Sequence, residues 1–355
     1  MSIRPIVPEK SLTDLSRDAL RERVVALGLP RFRADQIYKW VFQKGIRDFD
    51  GMTDLPKALR QTLQADGWTV GRVTLGRVAE SIDGTRKAVI RLQDGGSVES
   101  VLIPMGDPAE GRFTQCLSSQ LGCALDCKFC YTGTLGLSRH LTAGEIVDQV
   151  IVAKQAVPPG GVVDHLVFMG MGEPLHNFDH VVASIRALTE PAGVGYSARR
   201  ITVSTSGLVP QIDALGQVAP VNLAISLNAT TDAVRDRIMP INKRYPIGEL
   251  LAALRRYPLP PRRKLTVEYV LLGGVNDTDA DARRLGDLLH GMPVRINLIP
   301  WNPFAGPGFA RPEEGRVAAF HTHLERRGYT VTIRGTKGLD IDAACGQLGE
   351  RPTAA

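Results

Sequence analysis

The chain has 355 residues, of which 43% are hydrophobic and 23% are charged, the composition of an ordinary soluble globular protein. This length exceeds what one small core requires and predicts one large α/β domain with one or two smaller units. The first ten residues show no apolar core before a small-residue cleavage site, and no apolar run approaches the length of a membrane span. We therefore expect neither a secreted nor a membrane protein.

Charge and cysteine content indicate the kind of partner and the cellular compartment. The 43 Lys and Arg residues exceed the 37 Asp and Glu residues, and the net charge of +6 mildly favours a polyanionic partner. The chain has 5 cysteines, an odd number, and most of them lie in one short stretch. This pattern argues against an extracellular disulfide framework and predicts a protein of the reducing cytoplasm.

Residues 1–66 are predicted to form a helical, basic unit. Apolar residues recur at helical spacing up to Gly28, which would cap the first helix, and a short helix over residues 55–63 closes the unit. Between them, residues 31–45 place apolar side chains on one face and basic side chains on the other: Ile37, Trp40 and Val41 against Arg31, Arg33, Lys39 and Lys44. Such a basic face is usually only solvated, and nucleic-acid contact is the alternative.

Residues 67–108 are predicted to form a β-hairpin element, because the hydrophobic period changes to two. Residues 87–93 and 97–103 flank Asp94-Gly95-Gly96, a sequence typical of a hairpin turn. Glu99 lies on the second of these strands.

Three cysteines, Cys123, Cys127 and Cys130, follow with C-x3-C-x2-C spacing. Three thiolates on so short a loop can converge on one iron–sulfur cube, and one of its four irons then stays open. This spacing, with Phe129 before the last cysteine, resembles the signature of the radical S-adenosylmethionine (SAM) superfamily. A zinc loop is the alternative, but zinc sites usually pair two ligand arms, and the sequence contains no second arm.

Residues 109–347 alternate apolar runs with helical patterns, which predicts an α/β domain with a parallel sheet. The predicted strands are residues 113–118, 166–170, 201–205, 221–227, 265–272, 296–300 and 329–333. The predicted helices are residues 143–156, 178–188, 230–238, 247–257, 279–290 and 313–326. Periodicity does not distinguish an open sheet from a closed one. Residues 348–355 form a short tail.

Polar or glycine-rich stretches follow four of these strands. They are residues 170–174, residues 204–207, residues 226–228 and Asn302. Each alone would be an ordinary turn. Because ligands gather at the carboxyl ends of parallel strands, their recurrence predicts a binding site at that edge.

Several longer stretches resemble the RlmN family of dual-specificity RNA adenine methyltransferases. They are Ser118-Ser-Gln-Leu-Gly-Cys-Ala-Leu-Asp-Cys-Lys-Phe-Cys, Met169-Gly-Met-Gly-Glu-Pro-Leu, Ile201-Thr-Val-Ser-Thr-Ser-Gly, Ile296-Asn-Leu-Ile-Pro-Trp-Asn-Pro-Phe and Asp340-Ile-Asp-Ala-Ala-Cys-Gly-Gln. The resemblance runs from about residue 32 to residue 347. It implies a partial (βα)6, TIM-like radical SAM barrel with a small N-terminal helical accessory domain, which would bind RNA, and a short β extension.

The resemblance also implies the site residues. Cys123, Cys127 and Cys130 would hold a [4Fe-4S] cluster, and a further set would surround SAM: Gly172, Glu173, Ser204, Ser226, Leu227, Asn228 and Asn302. Cys345 would carry a methyl group, Cys116 would be its resolving partner through a disulfide bond, and Glu99 would be the general base. For a lone cysteine such as Cys345, the alternative is a small buried hydrophobe, and for Glu99 it is a solvent-facing hairpin residue.

The chemistry that the resemblance implies is methylation of adenosine C2. This electron-poor carbon cannot attack a sulfonium methyl group, so a radical is needed. Two SAM molecules would serve each turnover: one methylates Cys345, and the other yields a 5′-deoxyadenosyl radical that activates the S-methyl group for addition to C2. The implied partners are 23S ribosomal RNA, transfer RNA and an electron donor such as flavodoxin, and the protein would be a monomer.

In addition to the basic face of the helical unit, further basic residues are candidates for RNA contact, and the alternative for each is a solvated surface residue. They are Arg199, Arg200, Lys243, Arg244, Arg262, Arg263 and Lys264. Two features depart from the family pattern. Asn228 stands where histidine is usual, which weakens its assignment to SAM. The sequence also ends ten residues after Cys345, without the longer basic tail of some relatives.

Three alternatives stay open on the sequence alone. A Cfr-like enzyme would use the same two cysteines to methylate adenosine C8. A radical SAM enzyme acting on a peptide would not depend on RNA. A zinc-binding RNA module would have no radical chemistry.

Overall fold

The computed structural model describes residues 10–107 and 110–350. The expectation about a leader concerns residues outside these ranges, as does most of the predicted tail. Within the described ranges, no helix has both the length and the apolar character needed to cross a membrane.

The N-terminal unit is helical, as predicted, and we call it the head. Its elements are strand β1 (Lys10–Ser11), helices α1 (Arg17–Ala26), α2 (Phe32–Tyr38) and α3 (Lys57–Ala65), and strand β2 (Trp68–Thr69). The side chain of Ser16 accepts the backbone N–H of Ala19 and caps the start of α1. After its end, Gly28 adopts φ 73°, a left-handed conformation suited to glycine. The segment after α2 continues as one π-helical turn, Lys39–Gln43, which the sequence does not predict.

The head packs on the body of the protein through a buried ion pair. The carboxylate of Asp148, whose side chain is 0% exposed, lies 2.5 Å from Nη1 of Arg47. The same carboxylate accepts the Thr13 hydroxyl and the Arg72 backbone N–H. Asp148 belongs to helix α5 (Ala143–Ala153), in which every residue is buried because the helix lies between the head and the sheet.

The body is built on a ten-stranded sheet in the order β14-β13-β12-β11-β10-β9-β6-β5-β4-β3. Seven strands run parallel: β6 (Arg112–Cys116), β9 (Val162–Phe168), β10 (Ile201–Thr205), β11 (Asn222–Ser226), β12 (Leu265–Leu271), β13 (Val294–Pro300) and β14 (Thr330–Ile333). Each matches a predicted strand. Six strand–helix units followed by a seventh strand give the α/β partial barrel that we expected.

The helices of the body connect these strands. They are α4 (Tyr131–Thr134), α5 (Ala143–Ala153), α6 (Phe178–Thr189), α7 (Val209–Val218), α8 (Asp232–Ile238), α9 (Ile247–Arg256), α10 (Asp279–Leu288) and α11 (Glu314–Arg326). Helix α7 is absent from the sequence-based predictions, as is the strand pair β7 (Gln120–Gly122) and β8 (Leu137–His140) that flanks the cysteine loop.

The predicted hairpin is present and extends the barrel sheet. Strands β3 (Val73–Glu80), β4 (Arg86–Leu92) and β5 (Ser97–Pro104) are antiparallel, with Val89 opposite Glu99. Strand β5 then pairs with β6, where Val101 lies opposite Cys116. The hairpin therefore shares one sheet with the barrel, and the domain boundaries drawn from the sequence stay predictions.

Candidate active site

The carboxyl ends of the parallel strands surround a cavity of about 780 Å³, which we call the main cavity. Among its lining residues are many of those that the sequence predicts for cofactors and catalysis: Cys130, Gly172, Glu173, Ser204, Ser226, Asn228, Asn302 and Cys345. The predicted site residues from six different segments therefore meet at one place.

The cysteine loop lies at one end of the main cavity. Cys123, Cys127 and Cys130 line an adjoining space of about 510 Å³, together with Gly172 and Glu173. The loop depends on close backbone packing, because a Cβ at Gly133 would lie 2.9 Å from the carbonyl oxygen of Cys127.

Burial sets the protonation of these thiols. It raises the pKa of Cys123 to about 12 and also raises the pKa values of Cys127 and Cys130. In addition, Cys127 would be repelled by negative charge on the other two sulfurs. Three thiolates at this position need a strongly positive group among them, and an iron–sulfur cluster provides one.

The zinc alternative finds no support in this geometry. Within residues 10–107 and 110–350, no group of three or more His, Cys, Asp or Glu side chains lies close enough to hold a single metal ion. Zinc needs all its ligands on one atom, whereas a cube offers a separate iron to each thiolate.

Glu173 lies between the two spaces and is 3% exposed. Its carboxylate accepts the backbone N–H groups of Leu175 at 3.0 Å and Ser206 at 2.8 Å. The backbone N–H of Glu173 donates to Oε1 of Gln120 over 2.8 Å. The preceding residue, Gly172, has φ 97°, and a Cβ there would clash with the side chain of Gln120. Burial raises the pKa of Glu173. The loop thus fixes one carboxylate beside the cysteine loop.

Ser204 and Ser226, at the ends of β10 and β11, both line the main cavity. Leu227, in contrast, is 1% exposed and packs in the core, outside the lining of the main cavity. Its backbone N–H donates to the carbonyl of Glu268, and its carbonyl accepts from Arg235. Asn228 adopts φ 58°, a left-handed conformation that asparagine tolerates well. Its Oδ1 accepts the Val270 N–H at 2.8 Å, so the side chain already holds the loop in place.

Arg235 holds the loops after β10 and β11 in place, a role that the sequence does not predict. Its side chain is fully buried and donates to the carbonyl oxygens of Ser206, Ser226 and Leu227. Burial lowers its pKa to about 10, so the guanidinium remains charged at neutral pH. An arginine between Val234 and Asp236 on a short helix gives no sign of this role.

Cys345 lies after β14 in a segment that packs on the cysteine loop. The backbone N–H of Tyr131 donates to Gly346 over 2.7 Å, and the Thr132 hydroxyl donates to the carbonyl of Leu348. Asn302 Nδ2 donates to the carbonyl of Cys345 itself over 3.1 Å. Cys345 therefore opens into the main cavity and is not the isolated core residue of the alternative interpretation.

Cys116 ends strand β6 and is 6% exposed. Burial raises the pKa of its thiol to about 12, and a negative charge on Cys345 would raise it further, which places the two sulfurs within electrostatic reach. Both cysteines are free thiols, like the other three.

Glu99 is buried rather than solvent-facing, with 3% of its surface exposed. One carboxylate oxygen pairs with Lys87 at 2.9 Å, and the other accepts the Gly349 N–H at 2.7 Å. It lies beside the segment that carries Cys345, not in the lining of the main cavity.

The basic residues that we predicted for RNA contact divide between the two ends of the barrel. Arg199 and Arg200 directly precede β10, and Arg262, Arg263 and Lys264 directly precede β12. They lie at the amino ends of the strands, opposite the main cavity. Lys243 and Arg244, which are exposed, precede α9 and lie on the cavity side.

Comparison with known proteins extends over nearly the whole chain. The radical SAM superfamily model matches residues 117–285, and the model of the ribosomal RNA large subunit methyltransferase N-terminal domain matches residues 10–67. A dual-specificity RNA methyltransferase RlmN of Geobacter sulfurreducens is 51% identical over 334 residues, covering 94% of this chain and 90% of the relative. One from Geotalea uraniireducens is 50% identical over 332 residues, with 94% of each chain covered.

A solved structure gives the same result. The crystal structure of a radical SAM methyltransferase from Sphaerobacter thermophilus superposes with a TM-score of 0.90 at 46% identity. The match covers 96% of this chain and 99% of that one, so the head and the body are shared.

Proposed function

The chain belongs to the RlmN family of RNA methyltransferases, and from this premise we propose that it methylates C2 of adenosine in 23S ribosomal RNA and in transfer RNA. As a member of the radical SAM superfamily, it uses a [4Fe-4S] cluster and SAM. The observation that carries the proposal is that Cys345, Cys130 and all the predicted SAM residues except Leu227 line one cavity.

The residues at this cavity fit both groups. Cys123, Cys127 and Cys130 would hold the cluster through three of its irons, and Glu173 would pair with the SAM ammonium group. Ser204, Ser226 and Asn302 would bind ribose and carboxylate oxygens, with Gly172, Leu227 and Asn228 alongside. When bound, the reduced cluster supplies the electron that cleaves SAM to a 5′-deoxyadenosyl radical.

Cys345 is proposed as the methyl carrier. As a thiolate it can displace S-adenosylhomocysteine from the methyl group of a first SAM, forming one S–CH3 bond as the sulfonium C–S bond breaks. The methylated sulfur then faces the cavity where a second SAM would lie. The 5′-deoxyadenosyl radical would take a hydrogen atom from this methyl group and leave as 5′-deoxyadenosine. The methylene carbon would then add to adenosine C2, which joins RNA and protein covalently and leaves one unpaired electron on the adduct.

Cys116 and Glu99 are proposed to release the product. The adduct would give up one electron, which the oxidised cluster could accept, as Glu99 takes the C2 proton. Cys116 then attacks the Cys345 sulfur and forms a disulfide as the bond from that sulfur to the methylene carbon breaks. The electron pair stays on the carbon, which is protonated to a methyl group. Because Gly349 occupies one oxygen of Glu99 and belongs to the Cys345 segment, movement of that segment would free the base.

The RNA partner must present an unstacked adenosine, because the target carbon has to enter the main cavity. The exposed Arg31, Lys39 and Lys44 of the head, with Lys243 and Arg244 beside the cavity, are the basic residues best placed to contact the surrounding phosphates. An electron donor such as flavodoxin would reduce the cluster. We propose a monomer that acts in the cytoplasm, where ribosomal RNA and reduced thiols coexist.

The test is nucleoside analysis of ribosomal and transfer RNA from cells that lack their own adenosine-C2 methylation and express this chain. We expect 2-methyladenosine, and its loss when Cys345 is replaced by alanine. Finding 8-methyladenosine instead would favour the Cfr-like alternative. SAM cleavage that proceeds equally without RNA would favour a peptide substrate, and zinc without iron or sulfide in anaerobically purified protein would favour the non-enzymatic module.

A further inference from the structure

A buried glutamine and two histidines lie against the loop that carries Glu173, and the proposed mechanism gives none of the three a role. Gln120, on β7, is 0% exposed. His140 lies opposite Gln120 on the paired strand β8, and His176 comes three residues after Glu173. The two rings pack edge to face with their centroids 5.0 Å apart, and we call them the histidine pair. The glutamine and the histidine pair therefore form one polar cluster behind the loop.

The side-chain amide of Gln120 connects the histidine pair to the loop. Its Oε1 accepts the backbone N–H of Glu173 at 2.8 Å. Its Nε2 lies 2.9 Å from Nδ1 of His140 and 3.3 Å from Nδ1 of His176. Because a backbone N–H can only donate, the oxygen of the amide must face Glu173, and its NH2 group must face the two rings. Both ends of this buried amide are therefore occupied.

This orientation determines where the two rings carry their protons. Nδ1 of His140 and Nδ1 of His176 each accept a hydrogen from Gln120, so each ring is neutral with its proton on Nε2. A charged imidazolium would instead present an N–H group to the NH2 group of the amide. The amide cannot turn over to accept it, because the buried N–H of Glu173 would then lose its acceptor. The bond to Glu173 therefore requires an uncharged histidine pair.

The surroundings favour the uncharged form of both rings. Burial, followed by positive charge on His176 and on His180 of α6, lowers the pKa of His140. Burial also lowers the pKa of His176. The side chain of Arg139, which precedes His140 on β8, is paired with two carboxylates, and the carboxylate of Glu173 is held by two backbone N–H groups. The histidine pair is therefore mostly neutral at pH 7.

Gln120 also shapes the loop by direct packing. A Cβ at Gly172 would lie 2.5 Å from Cβ of Gln120, so only glycine fits at that position. Gly172 and Glu173 both line the main cavity. Movement of Gln120 would therefore displace the part of the loop that faces the cavity.

We propose that Gln120 is a positioning residue that holds Glu173 in place for SAM, and that the neutral histidine pair fixes the orientation of its amide. Protonation of either ring opposes that orientation and removes the hydrogen bond to the Glu173 backbone. This contribution to SAM binding is complete above the lowered pKa values of the histidine pair and is lost as the pH falls through them. The inference rests on the proposed function, in which Glu173 pairs with the SAM ammonium group.

The first measurement combines amide hydrogen exchange of the peptide containing Glu173 with equilibrium binding of SAM, both in cluster-loaded protein at about pH 8. Gln120→Met removes the amide and keeps the length of the side chain. We expect faster exchange in this peptide and about tenfold weaker SAM binding, because a buried N–H loses its acceptor. His180→Asn is the control and should change neither, because both hydrogens of the Gln120 NH2 group are used by the histidine pair. Wild-type exchange in Gln120→Met would overturn the proposal.

The second measurement follows SAM affinity from about pH 8 down to about pH 5. The double variant His140→Asn/His176→Asn replaces each ring with an amide, whose oxygen accepts a hydrogen bond throughout this range. We expect wild-type affinity at the upper end and a smaller loss of affinity at the lower end, where only the protonation of Glu173 remains. A wild-type pH profile in the double variant would overturn the proposal, as would an equal change in His180→Asn. This measurement applies even if Gln120→Met fails to bind the cluster.

Failure of the proposed function gives a different result. If Glu173 does not pair with SAM, Glu173→Gln leaves the affinity for SAM unchanged. Hydrogen exchange in Gln120→Met still decides whether Gln120 holds the loop, because that measurement does not depend on SAM.

Discussion

The side-chain amide of Asn302 donates to the backbone carbonyl of Cys345 over 3.1 Å. The Oδ1 of the same amide accepts the Thr336 hydroxyl at 3.0 Å and Nη1 of Arg311 at 3.3 Å. A residue predicted to bind SAM therefore also fixes the segment that carries the proposed methyl acceptor. Under the proposed function, binding of SAM and placement of the acceptor sulfur would be joined through one side chain.

The main effect of Asn302→Ala should be on the rate of Cys345 methylation and not on the free energy of unfolding. Losing the amide leaves a buried carbonyl unsatisfied, at a cost of about 1–3 kcal/mol, and frees the segment to move. Mass spectrometry of the Cys345 peptide after incubation with SAM measures this, with about a tenfold slower methylation expected. Asn222→Ala is the control, because Asn222 bonds to the carbonyl of Arg199 at the opposite end of the barrel. Equal rates for both variants would contradict the role of Asn302.

Arg235→Met should lower the free energy of unfolding by about 3 kcal/mol, because buried carbonyl groups lose their charged donor. Arg237 is exposed on the same helix, so Arg237→Met is the matched control and should change stability little. Denaturant titration of both variants measures the difference. Similar unfolding midpoints for the two would show that the buried guanidinium is not what holds the β10 and β11 loops together.

The binding of SAM should depend on pH through Glu173. Burial raises the pKa of this carboxyl group, and only its ionised form pairs with the SAM ammonium group. Binding is therefore strong above the raised pKa and weakens as the pH falls through it. Glu173→Gln should weaken binding about tenfold at neutral pH and flatten this dependence, whereas Glu314→Gln, at an exposed position on α11, should do neither. Equilibrium binding of SAM, measured across pH, tests this prediction. A wild-type pH dependence in Glu173→Gln would contradict the pairing of Glu173 with the SAM ammonium group.

The strands and the edge where the site forms could be predicted from the sequence. Each parallel strand is a short apolar run, and the polar stretch after it marks its carboxyl end. Neighbouring parallel strands must bring those ends together, which is why Glu173, Ser204, Ser226 and Asn302 meet. The hairpin around Gly95 could also be predicted, because Asp-Gly and Gly-Gly sequences are strongly preferred in tight hairpin turns.

The supporting residues could not be predicted in this way. Arg235 stands between Val234 and Asp236 on a short helix, and its burial follows from long-range packing that local periodicity does not carry. Glu99 shows the same limit, since its contacts with Lys87 and Gly349 depend on how the end of the chain folds back on the hairpin. For the basic stretches before β10 and β12, RNA contact stays a prediction, because their composition does not reveal which end of a strand they occupy.

The central claim is that Cys345 becomes covalently joined to RNA and that Cys116 releases it. The most direct measurement is to purify Cys116→Ala from cells and analyse the peptide containing Cys345 after nuclease digestion. We expect an adenosine nucleotide bound through a methylene bridge to the Cys345 sulfur. Cys345→Ala protein should carry no such nucleotide. Cys116→Ala protein that carries no RNA while cellular 2-methyladenosine stays at the wild-type level would contradict it.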